Sequence, residues 1–185
     1  SNALPFIAAA IVTGGRMRVR DWPQESFQPA TEVLKVLGAF GARVKRDSAG
    51  LIVGGPSESE GIRGIDVDLS AIGETAPTMA AIAVFARSAS TLRGIGHIRG
   101  HETDRLAALE TEITRLGGSI SQTSDGLRIE PSTLRAGTFH TYDDHRMATT
   151  AAIIGTRVGG IHVENIDTTA KTLPNFANLW SAVIT

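Results

Sequence analysis

The chain has 185 residues, a length that supports one domain or at most two and needs no disulfide or metal staple to build a core. Eighteen Lys+Arg against nineteen Asp+Glu leave a formal charge of −1, without the basic surplus on which phosphate-backbone binding draws, so general nucleic-acid affinity is not expected. With 42% hydrophobic, 20% charged and 5% aromatic residues and no cysteine, the chain reads as a globular protein with an aliphatic core; disulfides, thiolate metal sites, iron–sulfur clusters and a cysteine nucleophile are excluded.

Ser1-Asn2-Ala3 reads equally as the scar of a cleaved tag or as native sequence. The longest apolar run, Ala3 to Val12, falls well short of the roughly 20 residues that span a bilayer and lacks a basic flank, so neither a membrane span nor a signal peptide is expected. It predicts a buried small-residue helix, followed by a strand over Met17 to Arg20 and an amphipathic helix stopped by Gly41. Two strands then flank the turn Asp47-Ser48-Ala49-Gly50. The same order returns with an Ala-rich helix, a strand over Thr91 to Ile95, and a helix whose Leu106, Leu109, Ile113 and Leu116 form one apolar face. Gly117 stops that helix, and a strand pair turns at Ser124-Asp125-Gly126. A third series offers a helix over His145 to Arg157, a strand over Gly160 to Asn165 and a helix over Pro174 to Val183. In that last helix Phe176, Leu179, Trp180 and Val183 make the stripe, and Pro174 suits the first turn.

These series are an internal repeat. An offset of 76 residues carries Leu37, Gly41, Val44, Gly50, Leu51 and Val53 without a gap onto Ile113, Gly117, Ile120, Gly126, Leu127 and Ile129. Upstream, the same offset lays Pro5 to Val12 over Ala81 to Ser88 and Val19 over Ile95. The reading is an α/β fold of βαβαββ-like units over residues 4–67, 68–138 and 139–185, two complete and one lacking its closing strand pair, in a single domain over 1–185.

Three polar clusters stand at expected helix starts: Arg99 to Arg105, Tyr142 to Met147 and Thr169 to Pro174. Each places a cation, Arg105, Arg146 or Lys171, where the helix dipole favours anions, and so asks for an anionic partner. The bland alternative is solvated ion pairs, Glu102 with Arg105 and Asp143 or Asp144 with Arg146. Among the five histidines His97 and His101 are four apart, but no acidic ligand set of zinc-like spacing accompanies them. No Gly-rich phosphate loop occurs, so neither a metal nor a nucleotide cofactor is expected.

His101-Glu102-Thr103-Asp104-Arg105-Leu106, Asp144-His145-Arg146-Met147-Ala148 and Lys171-Thr172-Leu173-Pro174 together resemble the enolpyruvyl transferases of the shikimate pathway, the EPSP synthase family. The resemblance covers essentially the whole chain. It implies an inside-out α/β domain and transfer of the enolpyruvyl group of phosphoenolpyruvate to the 5-hydroxyl of shikimate 3-phosphate with release of phosphate, on the route to chorismate and aromatic amino acids, without metal or organic cofactor; the cytoplasmic compartment is expected from the absence of cysteine. Carried over by motif, Arg105, Arg146 and Lys171 would grip phosphoenolpyruvate, and Glu102 would move the proton at its methylene carbon. His145 would orient near that carbon; Glu74, His97 and His101 would line the shikimate side, with Glu74 also acting as base. Three departures stand out: Glu74 replaces a frequent aspartate, His101 a lysine and His97 an asparagine. Family members have two such domains. The implied reading is therefore the C-terminal half, inactive without an N-terminal domain that brings a catalytic lysine, shikimate-phosphate ligands and the segment completing the third unit. The alternative is a stand-alone anion-binding or regulatory domain of the same fold.

Overall fold

Small and aliphatic side chains permit three helices to bury themselves almost entirely against one another. They are α1 (Leu4–Thr13), α3 (Ala76–Ala83) and α5 (His145–Gly155); Leu4 to Val12, all of α3 and Met147 to Ile154 are buried, and each helix contacts the other two. The coordinates are a computed structural model that describes residues 2–20, 22 and 28–184; Ser1 and Thr185, the limits of the expected domain, lie outside the described residues. A helix apolar all round belongs in a core, and here that core is helical while the strands lie outside it. The remaining helices, α2 (Gln28–Ala39), α4 (Arg105–Arg115) and α6 (Phe176–Ile184), are amphipathic and turn one face inward. No helix among the described residues is long and apolar enough to cross a membrane.

The first outer sheet joins β1 (Arg16–Arg20), β3 (Gly50–Gly54) and β2 (Arg43–Asp47) in the order β1-β3-β2, all antiparallel. The second joins β4 (Asp66–Asp68), β5 (Ser90–Arg93), β7 (Leu127–Glu130) and β6 (Ser119–Gln122) in the order β4-β5-β7-β6, with β4 and β5 parallel. The third is the parallel pair β8 (Gly137–Phe139) and β9 (Ile161–Val163). Short 3-10 helices at Ser70–Thr75, Gly96–Gly100 and Ile166–Lys171 precede α3, α4 and α6.

Pairing registers test the internal offset. Val44 faces Val53 as Ile120 faces Ile129, so residues 76 apart hold like ladder positions. The helices before them end alike: Gly41 and Gly117 both take positive φ, and the following amide reaches back to Leu37 or Ile113. Upstream the offset changes. Val19 faces Leu51 and Leu92 faces Leu127, so Val19 corresponds to Leu92, an offset of 73, and not to Ile95, which lies beyond β5. The expected overlay of Pro5 to Val12 on Ala81 to Ser88 likewise runs past the end of α3. Alanine-rich helices match at many offsets; ladder hydrogen bonds permit one.

Two further expectations are corrected. α6 begins at Phe176 and not Pro174, because Asn175 sits at φ 69 and breaks any right-handed turn there. Its expected stripe divides: Phe176 and Trp180 pack on Phe6 with ring centroids 5.6 and 5.3 Å away, while Leu179 and Val183 are 43% and 49% exposed.

The strand pairs also depend on glycine. A Cβ on Gly126 would run into the carbonyl oxygen of Leu92, and one on Gly50 into that of Val19. Gly126→Ala should therefore cost about 1–3 kcal/mol in denaturant unfolding. Gly38→Ala, on α2 with open space around it, should instead gain about 0.5–1 kcal/mol. An unchanged midpoint for Gly126→Ala would refute the close approach.

Candidate functional site

The site is built on the starts of α3, α4 and α5. Asp104 caps α4 through its carboxylate, which accepts the Ala107 N–H at 3.0 Å, and this presents Arg105 as the first helical residue. Arg105 is the largest fully enclosed side chain among the described residues, only 2% exposed. Its Nε donates to Asp144 Oδ2 at 2.8 Å, Nη2 to Asp144 Oδ1 at 3.2 Å, and Nη1 to Glu74 Oε2 at 2.9 Å. Asp144, with no exposure at all, is in turn the cap of α5 and accepts the Arg146 backbone N–H at 2.8 Å. One carboxylate thus terminates a helix and neutralises a guanidinium, and the bidentate geometry is the strong form of that pair.

Glu74 is the penultimate residue of the 3-10 helix Ser70–Thr75 that leads into α3. Its other oxygen lies 2.8 Å from His101 Nδ1. The His97 ring stands 6.1 Å from that of His101 and occupies the space that a side chain on Gly73 would need. On the opposite side, Glu102 meets His145 Nδ1 at 3.2 Å and Lys171 Nζ at 3.7 Å, while Lys171 donates to the Asp143 carbonyl at 2.5 Å. Between the two groups lies Arg146. Its Nε is buried with no hydrogen-bond partner among the described residues, at the first turn of an eleven-residue helix whose N-terminal end favours anions.

The charges act on one another. Burial lowers the affinity of Arg146 for its proton and the neighbouring Arg105 adds to this, while Glu74, Asp144 and Glu102 oppose it without cancelling it. Burial also works against Arg105, but Asp144 and Glu74 outweigh it and hold that guanidinium firmly protonated. At Glu74 burial alone would raise the carboxyl; Arg105, with His101 and Arg146, takes it below the ordinary carboxylate range. Arg146 is thus a buried cation whose Nε lacks a partner among the described residues and whose neighbouring carboxylates do not offset its burial.

All eight residues expected from the sequence, Glu74, His97, His101, Glu102, Arg105, His145, Arg146 and Lys171, lie around this one end of the domain. The expected ion pairs are different ones: Glu102 binds His145 and Lys171 instead of Arg105, and Asp144 holds the Arg105 guanidinium and only the backbone of Arg146. Asp143 turns its carboxylate to Asn165. Lys171 closes the 3-10 helix Ile166–Lys171 and does not open α6, so its charge sits at the end the dipole favours; two of the three cations, not all three, are at helix starts. Asp144 as the buried partner of Arg105 was not anticipated; its one sequence signal is an aspartate directly before an Ala-rich helix. Glu102, Asp144 and His145 bring ligand atoms within 4.8 Å of one another, as a divalent cation would need. Asp144 is already saturated by Arg105 and the Arg146 amide, and three cations flank the group, so the donor set does not suit a metal.

Residues 1–180 match the family model described as EPSP synthase (3-phosphoshikimate 1-carboxyvinyltransferase). Proteins named 3-phosphoshikimate 1-carboxyvinyltransferase from Kocuria rhizophila and Mycobacterium ulcerans are 53% and 50% identical to this chain over its whole length. The chain spans 41% and 42% of those two relatives, about two fifths of their length. A solved EPSP synthase from Acinetobacter baumannii superposes with a TM-score of 0.79 over 98% of this chain and 44% of that one; at 23% identity the likeness speaks to the fold.

Proposed function

The chain belongs to the EPSP synthase family, and from that premise we propose that it acts as the C-terminal half of an enzyme transferring the enolpyruvyl group of phosphoenolpyruvate to the 5-hydroxyl of shikimate 3-phosphate. The observation that carries this reading is the buried, unpartnered Nε of Arg146 in the first turn of α5, with Glu74, Asp144 and Glu102 near enough to act on its charge. An anion binder alone would gain nothing from carboxylates so near its cations, whereas a proton-transferring site needs them.

In this reading Arg146 and Lys171 receive the carboxylate and phosphate of phosphoenolpyruvate, and Arg105, enclosed and held through Nη1 by Glu74, adds its charge from behind them, stabilising charge that shifts during the reaction. Glu102, steered by His145 and Lys171, gives a proton to the methylene carbon, which becomes a methyl group. Glu74 takes the proton of the attacking hydroxyl, whose oxygen bonds to the adjacent carbon and forms a tetrahedral adduct. Glu102 then recovers a proton from the methyl group as the phosphate leaves, carrying off the proton that Glu74 took and restoring both carboxyl groups. Arg105 links the two halves of the site, because its Nη1 holds Glu74 while its other nitrogens are fixed by Asp144. His97 and His101 line the acceptor side. The enzyme would work in the cytoplasm with an N-terminal domain, as one domain of βαβαββ units over residues 1–185.

Titration of the chain with phosphoenolpyruvate, followed by NMR, should move the signals of Arg146, Arg105 and Lys171. The isolated chain should release negligible phosphate from the two substrates, and the N-terminal domain added in trans should restore release. No shift at these residues at millimolar phosphoenolpyruvate would refute the reading, as would turnover by the chain alone.

A further inference from the structure

Glu112 lies seven residues after Arg105 on α4, on the same face two turns away. It has no exposed surface, yet it carries a carboxylate, an expensive group to enclose unless every lone pair is used. They are used. Oε2 accepts the His140 backbone N–H at 3.0 Å, Oε1 accepts the Tyr142 hydroxyl at 2.7 Å, and Arg115 donates at 3.2 and 3.3 Å from the same helix. All four donors point at acceptors, so a glutamine would present an amide N–H where only an acceptor fits.

Two of those donors belong to the segment between β8 and α5, and that segment is bent hard. Tyr142 and Asp143 have φ of 55 and 54, two consecutive non-glycine residues in the left-handed region, an arrangement that persists only when its surroundings impose it. The bend aims the Asp143 carbonyl at Lys171 Nζ, 2.5 Å away, and at Thr168 Oγ1, 2.8 Å away. It also turns the next residue, Asp144, into Arg105. Glu164 steadies the same segment from beyond β9, through His140 Nδ1 at 3.0 Å and the Thr141 N–H at 3.4 Å.

We propose that Glu112 is the positioning residue of the anion site: it pins the left-handed turn at Tyr142 and Asp143, and through that turn sets both Lys171 and Arg105. This rests on the anion-site reading above for its purpose, but its geometry can be tested without ligand. Tyr142 is the sole tyrosine of the chain, so its ionisation is read directly by ultraviolet absorbance. The side chain is 42% exposed, yet burial at its hydroxyl end, with the Glu112 hydrogen bond, pushes that hydroxyl up to about 12, Glu164 adding to the effect and Arg115 opposing it. A phenol raised in the folded state contributes its stabilisation below its unfolded value of about 10 and loses it as the pH climbs through about 12.

In Glu112→Gln the Tyr142 titration should fall toward about 10, and without ligand the Arg105 Nε–H and Asp144 amide resonances should move. Phosphoenolpyruvate affinity should drop at least tenfold. Ile129→Ala, a core change in β7, should leave the Arg105 resonance and the affinity at wild-type values, which separates positioning from general loosening. If Glu112→Gln does not fold, Tyr142→Phe, which has no phenol left to titrate, is read by the ligand-free resonances and the affinity, and should move the same Arg105 and Asp144 signals. Unmoved Arg105 and Asp144 resonances would overturn the proposal. Wild-type protein that ignores phosphoenolpyruvate would overturn the anion-site reading and leave the positioning role to be decided by the ligand-free spectra.

Discussion

Asp144→Ala is expected to lower the unfolding free energy by about 3–5 kcal/mol. The carboxylate is wholly enclosed and its partner Arg105 is 2% exposed, so truncation strands a guanidinium with Glu74 as its one remaining carboxylate partner. A guanidinium cannot shed its charge to escape, since it stays protonated across the accessible pH range. The same substitution removes the cap of α5, an effect typically near 1 kcal/mol. Urea unfolding measures the loss. Pairing Asp144→Ala with Arg105→Met should recover a good part of it, because an apolar pair of similar volume is often tolerated where a broken ion pair is not. A loss below about 1 kcal/mol in the single variant would mean that the pair is no more than a surface contact.

Arg146→Met is expected to act in opposite directions on binding and stability. Removing a charge-assisted donor should weaken phosphoenolpyruvate binding by about 1.5–3 kcal/mol, roughly tenfold to a hundredfold. The free protein should become more stable by about 1 kcal/mol, because the buried Nε has no partner in the described structure and burial already works against the charge. Calorimetry gives the first number and denaturant unfolding the second. A variant that loses stability and keeps its affinity would show Arg146 to be an ordinary structural cation. The opposed signs are those expected of a residue kept for a ligand.

The parts of the fold legible in the sequence are those where a residue type has one geometric use. Gly41 and Gly117 mark helix ends because positive φ there suits glycine, and Gly50 and Gly126 mark the turns between paired strands, where no Cβ fits beside Val19 or Leu92. Register upstream was not legible, since alanine offers no side-chain distinction by which one offset beats the next. The start of α6 was hidden by Asn175, one of the few residue types that tolerate a left-handed conformation without being glycine. At the site, the eight side chains came from recognisable motifs, but their partners did not: Arg105 and Asp144 are 39 residues apart and meet only through packing of α4 against α5. Glu112 was hidden differently. Three residues before Arg115 on an amphipathic helix, it reads as half of a solvated pair, and only its burial shows that it reaches across to Tyr142.

The change of offset between the two outer sheets has a meaning of its own. From Val19 to Leu37 the first series is three residues shorter than the second is from Leu92 to Ile113, although the ends correspond in the ladders and helix stops. In the second series the stretch between β5 and α4 holds His97, His101 and Glu102, while the matching junction of the first series, residues 21–27, lies outside the described residues except for Trp22. If the two series descend from one ancestral copy, the ladder and helix-stop positions were kept while length changed between them, and in the second series that span includes the residues of the candidate site. A break in an internal period can then serve as a locator of function that a single sequence carries within itself.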